Sequence, residues 1–182
     1  MSRLFVAVRP PAAVLDAIDA LPRPDQQDEP GVRWVPRDQW HVTMRFFGEA
    51  DEGEAVAALD GLVDRWPRSS IEATLGPQVS RLGRNVICLP ASGLETLAAL
   101  VGEATASVGP PPDPRPFRGH LTLGRLRHRG ACRLTGQPMV ARFPVSELEL
   151  VRSRLRAEGA RHEVIGRWPL RAEGAPGGAP SS

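Results

Sequence analysis

A quartet of residues occurs twice in this chain, each time as a histidine and a threonine separated by one apolar residue. The first copy is His41-Val42-Thr43-Met44 and the second is His120-Leu121-Thr122-Leu123. Successive side chains of a β-strand point to opposite faces, so the histidine and the threonine of each copy share one face. The quartets therefore predict two strands, each with a polar face for chemistry and an apolar face that packs on a core.

Composition limits the class of protein. The chain has 182 residues, of which 41% are hydrophobic and 24% are charged, and these proportions are typical of a globular domain. No apolar run approaches the roughly 18 residues of a membrane helix. Because the first residues predict a strand and not a signal peptide, we expect a cytoplasmic protein without a membrane segment.

The basic and cysteine residues add two expectations. All 23 basic residues are arginine, which biased base composition of a genome explains, but which also suits a phosphate-bearing partner because the guanidinium fork binds phosphate oxygens. Cys88 and Cys132 lie in unrelated contexts and are expected to be free thiols. Their spacing predicts no metal site.

Hydrophobic periodicity predicts strands and helices along most of the chain. Residues 127–142 are predicted to be irregular, and the Gly-, Pro-, Ala- and Ser-rich tail 171–182 to be disordered. One motif strand lies in each half, so residues 1–170 are expected to form a single domain of two similar α+β lobes around a shared cleft. Helices are predicted at 10–21, 51–65 and 92–108, and strands at 3–8, 32–35, 40–47, 71–75, 79–82, 86–89, 117–126, 145–155 and 161–170.

The polar face extends beyond each quartet. Strand alternation places Arg45 and Phe47 on the face of the first histidine, and Arg118 on the face of the second. Histidines titrate near neutral pH, so two of them can divide the tasks of acid and base. Threonine hydroxyls and arginines hold phosphate oxygens and stabilise their charge. This face therefore predicts acid–base chemistry on a phosphate.

Two further histidines lack a matching threonine. One His-x-Thr in a strand is common by chance, whereas two copies on non-core faces favour a functional site. His128, which stands between two arginines, is expected at the surface. His162 is expected to be structural, or at most to line the cleft.

The chain resembles the 2H phosphoesterases, which are named for two His-x-Thr/Ser motifs. More closely, it is similar to the bacterial and archaeal RNA 2′,3′-cyclic phosphodiesterases, once described as 2′–5′ RNA ligases. The likeness covers about residues 2–170 and extends to the segments around both quartets and to the last hairpin. These segments are Arg3-Leu4-Phe5-Val6-Ala7-Val8, Arg33-Trp34-Val35-Pro36, 40–49, 117–125, 149–155 and 159–161.

The resemblance implies an α+β fold of two lobes, in which antiparallel sheets line a central V-shaped cleft and helices lie outside. It implies hydrolysis of 2′,3′-cyclic phosphate ends of RNA to 2′-phosphomonoesters, with neither metal nor cofactor. His120 would activate water as the proton acceptor, and His41 would be the proton donor to the leaving 3′ oxygen. Thr43 and Thr122 would hold the non-bridging oxygens. The resemblance also implies 2′–5′ RNA ligase activity, which needs the same groups.

Further substrate-binding residues are expected around the quartets. Strand alternation favours Arg45 and Arg118 as phosphate contacts. The resemblance favours Arg125, which alternation places on the opposite face unless a bulge or the strand's end re-aims it. Phe5 and Trp34 are the aromatic residues expected to contact a base, with Phe47 as a third.

Two positions depart from the family pattern. His162 stands where tyrosine is frequent, and Gly119 stands where a proline often precedes the second histidine. Neither departure removes a histidine or a threonine of the quartets.

Three alternatives remain. One is a metal site on the two motif histidines with a third histidine, which is disfavoured because no carboxylate lies at ligand spacing. Another is a non-catalytic nucleotide- or RNA-binding module, and the third is a phosphodiesterase that acts on small cyclic nucleotides or an ADP-ribose derivative. The expected partners are RNA ends or nucleotides that bear a 2′,3′-cyclic phosphate. We expect a monomer.

Overall fold

The computed structural model describes residues 2–24, 30–64, 66, 70–127, 130–156 and 159–170. Within these residues the chain forms ten strands, three α-helices and one short 3₁₀ turn over Arg37–Gln39. The elements in chain order are β1 (Ser2–Val8), α1 (Ala12–Asp19), β2 (Val32–Trp34), β3 (Val42–Ala50), α2 (Glu52–Asp64), β4 (Glu72–Leu75), β5 (Ser80–Leu82), β6 (Val86–Ser92), α3 (Glu95–Ala104), β7 (His120–Leu126), β8 (Ala141–Pro144), β9 (Glu147–Arg156) and β10 (Gly159–Pro169).

The strands join into one antiparallel arrangement that has the two motif strands at its middle. The order is β10-β9-β1-β3-β7-β6-β4-β8, with β2 beside β7 and β5 beside β6. A single residue pair, Val42 with Leu121, connects β3 to β7. Each half of the sheet therefore contributes one motif strand to the junction. The predicted α+β fold with antiparallel sheets is confirmed.

The core lies on the face of the sheet that the helices cover. Leu4 and Val6 of β1 are fully buried there, as are Leu59 of α2 and Leu97 of α3. Burial of each such side chain contributes about 1.5–3 kcal/mol. The opposite face carries only a small second cluster around Phe5. Most of that opposite face is therefore left for polar side chains.

A β-bulge interrupts β3 directly after the first quartet's threonine. Thr43 and Arg45 pair with consecutive residues of β1, which leaves Met44 as the extra residue. A bulge exchanges the faces of the residues that follow it. Arg45 therefore lies on the core side, with only 6% of its surface exposed, and Phe46 takes the open face. Phe47 is a second extra residue and is buried.

The second quartet has a bulge at the same position. Thr122 and Gly124 pair with consecutive residues of β6, which leaves Leu123 as the extra residue. Arg125 consequently lies on the side of Thr122, and it is exposed opposite Arg33 of β2. The likeness of the two halves therefore extends past the quartets to the backbone irregularity behind each threonine.

Several element boundaries differ from the predicted ones. Residues 127–142 were expected to be irregular, but β8 begins at Ala141 because it pairs with β4. Helix α3 is shorter than predicted, since β6 continues to Ser92. The tail 171–182 lies outside the described residues. Among the helices that are described, none has the length and apolar character to span a membrane.

Candidate active site

The junction of the two motif strands brings the four polar side chains together. The apolar residues in the middle of the quartets form the connecting pair and are fully buried, so the flanking residues point to the open face. Continuing this antiparallel register by one residue places His41 beside Thr122, and Thr43 beside His120. Residues paired in this way have Cα atoms about 4.5–5.5 Å apart. The imidazoles thus occupy one diagonal of a four-membered group, and the hydroxyls occupy the other.

Both imidazoles are held by backbone carbonyls two residues before them, ahead of β3 and β7. Nδ1 of His41 lies 2.6 Å from the carbonyl oxygen of Gln39, and Nδ1 of His120 lies 2.8 Å from that of Arg118. A carbonyl only accepts hydrogen bonds, so Nδ1 donates in both rings. Nε2 of each ring is left to meet a ligand, as an acceptor in the neutral ring and as a donor in the protonated ring.

Aromatic rings surround His41. Phe5 stacks on it with ring centroids 4.8 Å apart, and His162 approaches its edge at 5.4 Å. His162 also contacts Phe5, at 5.0 Å. Phe5, which was expected to contact a base, is largely buried and packs on the histidine. His162, which was expected to be structural or at most to line the cleft, contacts the first motif histidine directly.

The environment changes the acidity of the first histidine. Burial lowers the pKa of His41 to about 4, against the opposing effect of the hydrogen bond to Gln39. The positive charges of His162, Arg9 and His120 lower this pKa further. In the free protein His41 is therefore neutral near pH 7. A negative charge bound beside it would raise this pKa.

Arg9 is a residue near the first motif histidine that was not among the predicted site residues. It follows Phe5 at an interval of four residues and so continues the open face of β1, which was the available signal. Its Nη2 donates to the carbonyl oxygen of Asp38 at 2.7 Å, and its Nε lies 3.4 Å from Glu149 Oε2. Glu149 is 1% exposed and also pairs with Arg167. These contacts hold one cation beside the histidines.

The prediction that Arg45 lies on the ligand face is wrong, because the bulge turns its side chain to the other side of the sheet. Its guanidinium donates to the carbonyl oxygens of Thr105, Val108 and Pro110 after α3, at 3.1 Å for Val108 and 2.8 Å for Pro110. It also stacks on the ring of Phe47. Arg45 therefore ties the end of α3 to the sheet and does not reach the histidines.

Trp34, which was expected to contact a base, lies on the core side of the sheet. It pairs with Gly124, and a Cβ atom at that glycine would lie 2.9 Å from Trp34 Cε3. Both residues belong to the core side, because the bulge at Leu123 has exchanged the faces. The indole packs against the core cluster and is remote from the open face, where Arg125 lies.

The remaining predicted contacts lie on the open side. Arg125 and Arg118 are both exposed, and Arg118 lies two residues before the second motif histidine. Gly119 fits its position because a Cβ atom there would lie 2.5 Å from the carbonyl oxygen of Ala91. The backbone of Gly119 in turn accepts a hydrogen bond from the amide of Ala91 at 2.9 Å. A glycine here allows β6 to approach the second histidine closely.

Two expectations remain, one about His128 and one about a metal site. His128 lies outside the described residues. Among those that are described, no group of three or more His, Cys, Asp or Glu side chains is placed to hold a metal ion.

Known proteins share the sequence pattern and the fold of this chain. A family model described as the 2′-5′ RNA ligase superfamily matches residues 10–157. No curated protein matches the sequence. The solved structure of TT0787 from Thermus thermophilus is 26% identical, covers 94% of this chain and 99% of its own, and has a TM-score of 0.75.

Two further structures extend the comparison. E. coli LigT complexed with 3′-AMP is 26% identical, with 93% of this chain and 98% of its own covered and a TM-score of 0.74. The MHV ns2 PDE domain is 16% identical, covers 82% of this chain and 99% of its own at a TM-score of 0.59, and shares the fold alone. The chain therefore belongs to the 2′-5′ RNA ligase superfamily of 2H phosphoesterases, and this membership supports a phosphodiesterase- or ligase-like activity.

Proposed function

We propose that this protein hydrolyses the 2′,3′-cyclic phosphate at the end of an RNA to a 2′-phosphomonoester, by acid–base catalysis without a metal ion. The observation that carries the proposal is the group of two imidazoles and two hydroxyls at the β3–β7 junction. Two Nε2 atoms on one diagonal suit a reaction in which one proton is taken and another is given. The hydroxyls on the other diagonal suit the two non-bridging oxygens of a phosphodiester.

The reaction divides the two histidines. Neutral His120 accepts a proton from water as the water oxygen bonds to phosphorus. The bond between phosphorus and the 3′ oxygen breaks, and protonated His41 gives its proton to that oxygen. Thr43 and Thr122 donate hydrogen bonds to the non-bridging oxygens. Both histidines then exchange protons with solvent, which restores the starting state.

Because the pKa of His41 is low in the free protein, the bound substrate itself promotes the protonation of this histidine. The phosphodiester carries a negative charge, and its arrival beside His41 offsets the positive charges that lower the pKa. Binding is therefore coupled to uptake of a proton on the acid. This coupling suits the proposed roles. Only when substrate is bound does the site hold a protonated donor opposite a neutral acceptor.

Arginines on the open face supply the remaining positive charge. Arg125 and Arg118 flank the second quartet, and Arg9 lies beside the first. Arg125 replaces Arg45 as the preferred phosphate contact because the bulges place the two side chains on opposite sides of the sheet. Arg9 is added as a cation that attracts the anionic substrate toward His41.

The ligand chemistry of a relative supports a nucleotide substrate. E. coli LigT has been crystallised with 3′-AMP and with ATP. The same four groups also suit ligation, in which a 5′-hydroxyl takes the place of water. Its oxygen bonds to phosphorus, the bond to the 3′ oxygen breaks, and a 2′–5′ linkage forms. His120 then accepts the proton of the 5′-hydroxyl, and His41 again gives its proton to the 3′ oxygen.

The decisive experiment uses an oligonucleotide that ends in a 2′,3′-cyclic phosphate, incubated with the protein in excess chelator. We expect one product, in which the 2′ oxygen keeps the phosphate, and no product with His120→Ala. A 3′-phosphate product would contradict the assigned leaving group. Binding without turnover would leave a non-catalytic module, and turnover of cyclic mononucleotides alone would restrict the substrate to small molecules.

A further inference from the structure

We infer that Phe46 and Arg3 form a stacking platform for a nucleobase, and that the base belongs to the nucleotide immediately 5′ to the cyclic-phosphate end. The inference rests on the proposed function, because it assigns a second nucleotide to the same substrate. We call these two side chains the Phe46 platform.

The ring of Phe46 is unusual in its exposure. It is 51% exposed, and among the described residues Val140 is the only other large hydrophobic side chain that is exposed. Phe47, its neighbour, is buried in the core. An aromatic ring offers a flat face on which an unpaired base can stack, which an aliphatic side chain does not. The ring is therefore available to a ligand.

The bulge after Thr43 gives the ring its direction. Without an extra residue at Met44, Phe46 would point to the core and Arg45 would point to the open face. The register instead pairs Phe46 with Phe5, which stacks on His41. The platform therefore continues the same sheet face that carries the two histidines.

Arg3 completes the platform. Its guanidinium lies 5.0 Å from the centre of the Phe46 ring, and the side chain is itself exposed. A planar cation and an aromatic ring are both surfaces on which unpaired bases stack, and such stacking tolerates any base. A ligand with a flat π-system and adjacent negative charge fits this pair better than an aliphatic ligand does.

The distance along the strand favours the second nucleotide. Thr43 and Phe46 are three residues apart, which spans at most about 10 Å at roughly 3.3 Å per residue. The terminal nucleotide occupies the space at the quartets, where Phe5 and His162 already enclose His41. The next base along the chain then falls at the Phe46 platform. The favoured substrate is accordingly an RNA end of at least two nucleotides.

The test compares three substrates that share the cyclic phosphate. The first is a 2′,3′-cyclic mononucleotide, the second is a dinucleotide with the same end, and the third is that dinucleotide with its 5′ base removed. We expect kcat/KM for the intact dinucleotide to exceed that for the abasic one by about tenfold, from the stacking of one base. Phe46→Ala should abolish this difference and leave the other two substrates within about twofold, a change too small to reflect a lost stacking contact.

Control variants test whether the effect of Phe46→Ala comes from lost stacking and not from a disturbed fold. Phe46→Trp should keep the preference for the intact dinucleotide, and Val140→Ala should have no effect because that side chain is exposed elsewhere. Thermal unfolding checks that Phe46→Ala remains folded. Equal losses on all three substrates would overturn the inference, as would a loss on the mononucleotide, which would assign the platform to the terminal base.

Failure of the proposed function can be distinguished from failure of the platform. If the unmutated protein hydrolyses none of the three substrates, the same comparison is made by equilibrium binding to His120→Ala. An intact dinucleotide that binds about tenfold more tightly than the abasic one, through Phe46, then supports the platform alone. Equal affinities would overturn it.

Discussion

The two motif strands share a sequence and a bulge but give their histidines different surroundings. His41 is enclosed by Phe5 and His162 and lies near a fixed arginine, whereas His120 makes its hydrogen bond to Arg118 at an exposed position. The bulges place Arg45 in the core of one half and Arg125 on the open face of the other. The repeated quartet therefore provides equivalent positions, and the residues around it give the two histidines different environments.

The largest expected effect comes from removing either histidine. His41→Ala and His120→Ala should each lower kcat/KM on a cyclic-phosphate substrate by about a thousandfold, since acid–base groups contribute roughly 10²–10⁴ each. The double variant should lose little more than either single one, because the two protons move in one reaction. Steady-state kinetics measures this. Independent, multiplicative losses would mean that the histidines do not act together.

Substitution of the two arginines that follow the bulges should affect different properties, stability for Arg45 and activity for Arg125. Arg45→Gln leaves buried carbonyls at the end of α3 without donors, so it should lower the free energy of unfolding by about 3 kcal/mol. Arg125→Gln should change stability by less than about 0.5 kcal/mol, as an exposed substitution does. Urea unfolding measures both. Activity should fall for Arg125→Gln in protein that remains folded, and a stability loss there equal to that of Arg45→Gln would refute the exchange of faces.

The lowered pKa of His41 predicts how stability depends on pH. The unfolded chain binds a proton on this histidine near its ordinary pKa of 6.5, whereas the folded protein does so only near 4. Stability should therefore decline as pH falls from about 6.5 to 4, with this residue contributing up to about 1.4 kcal/mol per pH unit.

His41→Gln should flatten that part of the profile relative to the unmutated protein, and His120→Gln serves as the matched variant of the other quartet. Urea unfolding at a series of pH values measures the slopes. An unchanged slope for His41→Gln would show that the first histidine is not the one kept neutral by burial.

The smallest effect is expected for the arginine beside the first histidine. Arg9→Gln removes a positive charge and should raise the pKa of His41 by a fraction of a unit, because burial is the larger cause of its low value. NMR titration of the imidazole measures this shift. Arg167→Gln, on the other side of Glu149, is the control and should move the pKa less. An equal shift in both would mean that Arg9 acts only through the carboxylate.

The sequence predicted the central geometry because the quartet is local. His, Thr and the apolar residues between them show their faces by alternation alone, and the register at Val42 and Leu121 agrees. The face predicted for Arg45 was wrong because a bulge depends on the partner strand, and the pattern of one strand does not show where pairing skips a residue. Alternation failed for Arg125 for the same reason, although the family resemblance favoured it.

Other misses have separate physical causes. Strand β8 is only four residues long and forms because it pairs with β4. Arg9 follows the last residue of β1, so it was not considered as part of that strand's face, and Glu149 is distant in the sequence. Contacts of this kind arise from tertiary packing and leave no local periodicity to detect.

The extra residue behind Thr43 determines which side chains of β3 reach the cleft. If β3 paired with β1 without skipping Met44, strict alternation would continue to the second bulge at Phe47, and Arg45 and Phe46 would exchange faces. A cation that now braces a helix end would enter the cleft, and an aromatic ring that now faces solvent would compete for the core. The point at which the pairing skips a residue is thus itself part of the specification of the site.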